Sequence, residues 1–216
     1  WLAAQPYAVR NQASPPLWML LLMGAGIILC LLPRIAVVRI IGLLWCLPAL
    51  TYTPPKIALG AAHISVFDVG QGLSVLVQTQ THNLLYDTGA SWKQDKDTGN
   101  QILVPQLHRL GVQELNALLI SHNDDDHSGG ATSVLAQYPN THLIGSLPAD
   151  NPLWQQARYN SPCATGQNWT WDGVYFEILA PHPQDAVQYQ LKDNDLSCVL
   201  RINGQNKWKT LLAGDI

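Results

Sequence analysis

The chain has 216 residues, with 12 lysines and arginines against 15 acids, a net charge of −3, and 47% hydrophobic residues. That length suits one ordinary domain and something more, and the acidic balance excludes a protein that would hold nucleic acid through a broad basic surface. The charge is also unevenly placed. Residues 1–56 hold Arg10, Arg34, Arg39 and Lys56 and no acid, whereas all 15 acids follow against eight bases, leaving that part near −7.

The first part reads as membrane. Residues 17–32, LWMLLLMGAGIILCLL, are uncharged and almost wholly apolar, and residues 35–50 are interrupted only by Arg39. The pattern predicts transmembrane helices over about 16–32 and 35–50, joined tightly at Pro33-Arg34. Both runs fall slightly short of the roughly 20 residues that cross a bilayer. Arg39 must snorkel or face protein, and a pair of buried helices in a soluble core is the alternative. Arg34 and Arg39 beside the connection favour a cytoplasmic connection and place the following part outside, in the periplasm or cell exterior. The chain lacks an initiator Met and stops after an apolar run, so it reads as a piece cut at both ends. Cys30 and Cys46 sit in the apolar runs as small apolar residues; Cys163 and Cys198 could pair in an oxidising compartment.

Residues 51–61, TYTPPKIALGA, read as a linker, so that residues 1–56 form a membrane region and residues 62–216 a second domain. HISVFDV (63–69) predicts a strand ending at the Gly70-Gln71-Gly72 turn, LSVLVQT (73–79) a second, and LLYD (84–87) a short buried third. Residues 91–100 read as a polar loop. Ile102, Leu103, Leu107 and Leu110 make a helical stripe closed by Gly111. LNALLIS (115–121) predicts a buried strand, SGGATSVLAQY (128–138) a helix and THLIGS (141–146) another strand. Asp172-Gly173 marks a hairpin within 167–180; Asn203-Gly204 marks another between SCVLRI (197–202) and KWKTLLAG (207–214). Strand pairs, then strand–helix–strand, then hairpins fit a layered α/β sandwich. Eight Trp and seven Tyr are accounted for by packing and not by base stacking.

The stretch LLISHNDDDHSGG (118–130) carries the chemistry. Asp124, Asp125 and Asp126 repel one another, yet they lie between His122 and His127 at the carboxyl end of a buried strand, where α/β folds place their sites. His122 and Asp124 are two apart and can point the same way from an extended loop; Asp126 and His127 follow at a helix start. Imidazole and carboxylate are ligands for divalent metal. A cation would neutralise the acids and keep the histidines neutral. The competing reading is a solvated acidic turn at a helix N-terminus.

HNDDDH (122–127) resembles the HxHxDH motif of the metallo-β-lactamase superfamily, with Asp124 where the second His usually stands. LLYDTG with Asp87 and LLAGD with Asp215 resemble that superfamily's earlier and later aspartates. FDVGQG (67–72) and SHNDDDHSGG resemble the hydrolase-like domain of the ComEC family of bacterial competence proteins, which take up DNA. The resemblance implies a truncated αββα sandwich, incomplete at its C-terminal end, and two divalent ions (Mn, Zn or Mg). His122 and Asp124 would hold one side of the site, Asp126 and His127 the other, with Asp215 bridging. Asp87 would orient the ligand loop by hydrogen bonds, and Asp125 would be exposed. Asp126 and Asp68 become candidate catalytic groups, Asp68 having simple turn chemistry as its alternative. The superfamily's third-motif His is absent; Asn194, Asp195 and Ser197 stand there, Asn194 and Ser197 as supports, and His182 is a weaker substitute. Mechanistically this implies hydrolysis of phosphodiester bonds in incoming single-stranded DNA, during natural transformation, by a multi-pass protein of the bacterial inner membrane. Its partners would be DNA, lipid, the rest of the channel protein and a second copy in a homo-oligomer. Two alternatives are a degenerate module that guides DNA without cutting it and a small-molecule metallohydrolase. Lys207 and Lys209 alone make no basic patch for DNA.

Overall fold

The computed structural model describes residues 12–33, 36–93, 96–182, 184 and 194–216. Arg10, Arg34 and Ile35, on which part of the membrane reading leans, lie outside them. The chain divides into two compact units: Trp1–Pro55 with Leu107–Gln113, and Lys56–Gln106 with Glu114–Ile216.

In the first unit, α1 (Leu17–Leu31) and α2 (Ala36–Leu50) are 15 residues each. At 1.5 Å per residue each spans about 22 Å, against about 30 Å of bilayer hydrocarbon. Among the described residues no helix is long and apolar enough to cross a membrane. The two helices meet at Gly26 and Gly42, so closely that a Cβ on either would collide with the other's carbonyl oxygen. Cys30 and Cys46 flank that contact as free thiols. Away from it, Leu17, Trp18, Leu21, Ile28, Val37 and Leu43 are exposed.

The second unit is a two-sheet sandwich. Its strands are β1 (His63–Val66), β2 (Val75–Gln78), β3 (Asn83–Tyr86), β4 (Ser91–Lys93), β5 (Lys96–Asp97), β6 (Ala117–Ile120), β7 (His142–Gly145), β8 (Tyr159–Pro162), β9 (Asn168–Trp171), β10 (Val174–Ala180), β11 (Val199–Asn203) and β12 (Lys209–Leu212). One sheet has the order β1-β2-β3-β6-β7-β8 and the other β12-β11-β10-β9. In the first sheet β1, β2 and β3 pair antiparallel, and β3, β6, β7 and β8 pair parallel. The second sheet is antiparallel throughout.

Side chains alternate between faces along a strand, and here one face of each sheet closes the core. Val75, Val77, Leu84, Tyr86, Leu119 and Ile144 meet Phe176, Ile178, Leu200 and Ile202. The opposite positions Leu76, Leu85, Leu118, Ile120 and Leu143 are also buried, as the near-continuous apolar runs of a sheet covered on both faces require.

Several elements depart from the sequence reading. Residues 91–100 hold the β4–β5 hairpin and the start of a π-helical turn, Gly99–Leu103, that leads into α3 (Val104–Arg109). The helix expected from Ser128 is two: α4 (Asp125–Ser128) and α5 (Ala131–Gln137). No sequence signal marks α6 (Leu153–Gln156) or β8; YNSP has neither apolar alternation nor β-branched residues.

The two sheets are tied at the end remote from the acidic cluster. Asp172 and Gly173 have φ of 50° and 79° and form the two-residue loop of the β9–β10 hairpin, the backbone such tight hairpins need. The Asp172 carboxylate crosses to the β2–β3 turn, accepting hydrogen bonds from Thr79 Oγ1 (2.6 Å), Thr81 N (2.8 Å) and Thr81 Oγ1 (2.9 Å), with His82 Nδ1 at 3.1 Å. His82 in turn stacks on Trp171, centroids 4.9 Å apart. Desolvation works against ionisation of Asp172, but the bonds from Thr79, Thr81 and His82 outweigh it and hold the carboxyl well below the usual range. A depressed folded pKa stabilises above the unfolded value, near 4, and that stabilisation fades as pH falls toward the folded value. Asp172→Asn should therefore cost about 1–2 kcal/mol at pH 5, with the gap to wild type narrowing at pH 3; urea unfolding followed by tryptophan fluorescence at the two pH values measures it.

Candidate metal centre

The site is built on two neighbouring strand ends. β3 and β6 run parallel with Tyr86 opposite Leu119, so the residues that follow them, Asp87 and Ser121-His122, emerge side by side. Asp87 adopts φ 58°, a left-handed conformation that costs a non-glycine residue roughly 1–2 kcal/mol. Its surroundings over-determine it. Asp87 N donates to Leu119 O (2.8 Å), and Ser74 Oγ donates to Asp87 O (2.9 Å). The carboxylate accepts from Ser121 N (2.6 Å) and Ser121 Oγ (2.7 Å) and meets His127 Nδ1 at 2.8 Å. His127 is carried by α4, and its carbonyl accepts from Thr88 N (2.7 Å) and Thr88 Oγ1 (2.9 Å).

The FDVGQG turn locks this arrangement from one side. Leu73 N donates to Asp126 O at 3.3 Å. Gly72, at φ 99°, lies so close to that carbonyl that a Cβ would coincide with it. Only glycine satisfies both the conformation and the approach.

With Nδ1 of His127 held by Asp87, its Nε2 faces Asp215 Oδ1 at 3.2 Å. His122 is oriented likewise: Nδ1 lies 2.9 Å from Ser121 Oγ and 3.3 Å from Ser197 Oγ. Its Nε2 is fully buried and makes no hydrogen bond, although Asp124 Oδ2 stands 3.3 Å away. The two imidazoles are 4.2 Å apart between centroids, and ligand atoms of His122, His127 and Asp215 lie within 4.8 Å of one another. A buried ring nitrogen that makes no hydrogen bond is costly. Together with a second imidazole and a carboxylate, it fits a divalent cation, and each histidine has its far nitrogen fixed as metal-binding histidines do.

Burial is the largest influence on Asp87 and pushes its carboxyl up; the bonds from His127 and Ser121 oppose this without cancelling it. For His127, burial pulls downward, but the bond to Asp87 and the negative charges of Asp87, Asp215 and Asp126 prevail and hold the imidazole above its ordinary value. The carboxylates gathered around His127 are negative charges that a bound cation would offset.

The expected residues fall as follows. His122, His127 and Asp215 converge, and Asp87 and Ser197 contact the histidines. Asp124 touches His122 from outside that cluster. Asp126 is half-buried beside it, and Asp125 is exposed, hydrogen-bonded through its carboxylate to Ser91 N and Oγ. Asp68 is exposed and accepts from Gly70 N (3.2 Å). Asn194 opens a short 3-10 turn and accepts from Ser197 N. His182 is in a neighbouring cavity and not in the cluster. Cys163 and Cys198 are joined by a disulfide, Cα atoms 6.0 Å apart. Cys198 N donates to Ser121 O (2.8 Å) and Tyr86 Oη to Cys198 O (2.7 Å), so the second sheet is fastened to the first beside the site. Sequence reading missed Ser121, which contacts Asp87, His122 and His127 together; its position between a buried strand and the first histidine was the available signal.

This geometry defines a metallohydrolase-type fold, and comparison with known proteins agrees. Residues 67–189 match the family described as the metallo-beta-lactamase superfamily, and the chain belongs to it. A metallo-beta-lactamase from Cronobacter sakazakii shares the fold, with a TM-score of 0.52 and 16% identity over 74% of this chain and 64% of that one. The resemblance to competence proteins is borne out as well. The chain is 38% identical to Competence protein ComA of Neisseria gonorrhoeae over 94% of its own length and 27% of that protein. It is 39% identical to Recombination protein 2 of Haemophilus influenzae over 70% of its own length and 18% of that protein. It thus spans about a quarter or less of these relatives.

Asp87→Asn keeps the shape of the side chain but removes the charge that holds His127. Divalent-metal affinity should fall about 10- to 100-fold, read by competition with a chromophoric chelator; unchanged affinity would contradict the role assigned to Asp87.

Proposed function

We propose that the second unit is a metal-dependent phosphodiesterase acting on DNA during competence, within a longer membrane protein. The observation that carries the reading is the buried Nε2 of His122, which makes no hydrogen bond, beside His127 Nε2 and Asp215. The competence relatives supply the substrate class.

In this reading His122 and Asp124 would hold one divalent ion and His127 and Asp126 a second, with Asp215 within reach of both histidines. Bound divalent ions supply Lewis acidity toward the phosphoryl oxygen and lower the pKa of water. Asp87 and Ser121 keep His127 and His122 in the orientation that presents Nε2 to the site. Asp126, half-buried at the start of α4, would be the carboxylate to take up a proton from water. Asp68 acts indirectly, by shaping the turn that sets Gly72 against Asp126. Carboxylate in place of a second histidine at Asp124 hardens the donor set toward Mn²⁺ or Mg²⁺ relative to Zn²⁺. Divalent ions take imidazoles in their neutral form, so metal uptake should weaken at low pH.

The helical pair is proposed to lie in the bacterial inner membrane. Its outward side chains are apolar nearly all round, a surface suited to lipid and to further helices of the same protein. Arg39 is exposed near the start of α2, where its side chain can reach the interface. The second unit then stands on the periplasmic or outer side; homo-oligomers remain part of this proposal only as an arrangement of the channel.

One observation favours a second reading, a DNA-guiding module without activity: residues 194–197 offer no third histidine. The two separate in one assay. With Mn²⁺ the chain should cut single-stranded DNA and lose cutting in EDTA, while His122→Ala and Asp126→Ala should each lower the rate at least 100-fold with an unchanged circular dichroism spectrum. DNA binding with no metal-dependent cleavage would favour the guiding module. Cleavage of a small ester or lactam alone would favour a small-molecule hydrolase.

A further inference from the structure

The carboxyl ends of β7 and β8, the residues after β10 and the segment entering β11 line a half-open cavity of about 390 Å³, a size that takes small ligands. It adjoins the metal centre. Leu196, in its wall, precedes Ser197, whose hydroxyl is 3.3 Å from His122 Nδ1. Ser146, also in its wall, donates its N–H to Ile120 O, immediately before Ser121 and His122. The rest of the lining is mostly apolar, with Leu147, Pro162, Ala164 and Pro181, and His182 adds one imidazole. Among the described residues that line it there is no lysine, arginine, aspartate or glutamate.

The cavity offers a phosphate no lysine or arginine, the side chains that phosphate contacts ordinarily rely on. The neutral, planar part of a nucleotide suits it instead, lying on proline and leucine faces with the Ser146 hydroxyl as a hydrogen-bonding group. We infer that the cavity receives a base of the strand whose phosphodiester stands at the metal centre; this rests on the phosphodiesterase reading. A base can enter a side cavity only when it is neither paired nor stacked within a duplex, so the cavity selects single strands. Contact through an apolar face, with few hydrogen bonds, tolerates all four bases.

The test uses the chain with its helical pair in detergent and Mn²⁺. Two fluorescein-labelled pentanucleotides, one of thymidines and one of abasic tetrahydrofuran residues, carry equal charge through cleavage-resistant phosphorothioate linkages. Anisotropy should show the base-bearing strand bound at least tenfold more tightly than the abasic strand. Ala164→Trp, which fills the cavity, and Leu147→Trp, at a half-buried rim position, should each erase that difference while metal uptake is kept. Equal binding of the two strands by the wild type, or selectivity retained in both variants, would overturn the inference. Base-selective binding by a chain that cuts no ordinary DNA with Mn²⁺ would sustain this inference and sink the hydrolase reading.

Discussion

Asp87 is a carboxylate with no access to water, in a backbone conformation that disfavours its own side chain. An isolated buried carboxylate is among the least tolerable groups in a protein, so everything around it is organised to answer it. Ser121 supplies two donors, and His127 presents Nδ1. Those bonds fix β3 to β6 and both to α4. They also determine which nitrogen of His127 is left to face Asp215. The strain at Asp87 and the orientation of the histidines are one feature seen from two sides.

From that point the rest of the unit follows in layers. The parallel β3–β6 pair brings two strand ends to one spot, and the FDVGQG turn closes on α4 through the bare backbone of Gly72. The disulfide and Tyr86 then fasten the second sheet behind Ser121. The far end is held separately, by Asp172 reaching from one hairpin to the turn of another. With both ends anchored, the edge toward β8 is left to shape a cavity beside the centre.

Much of this was legible in the sequence because the relevant signals are local. Asp172-Gly173 announced a hairpin, apolar runs before Asp87 and Ser121 announced buried strands, and histidines bracketing three aspartates announced the place where His122, His127 and Asp215 gather. What escaped reading depends on distant partners. Nothing in YNSP says strand; β8 exists because β7 offers it a parallel edge. Nothing near Asp172 says that its carboxylate crosses to Thr79 and Thr81. Ser121 looks like any residue at a strand end until Asp87, 34 positions earlier, is seen to bind it. The apolar helices were legible as helices; α1 lies between Pro16, which precedes Leu17, and Pro33, and is 15 residues long.

The most direct measurement is ¹⁵N NMR of the histidine ring nitrogens while Zn²⁺ is added to the folded chain. The Nε2 resonances of His122 and His127 should shift together and saturate at a fixed metal-to-protein ratio, while His127 Nδ1 stays protonated against Asp87. If those resonances stay in place at millimolar Zn²⁺ in a chain whose amide spectrum remains that of a folded protein, the histidines and Asp215 do not form a metal centre.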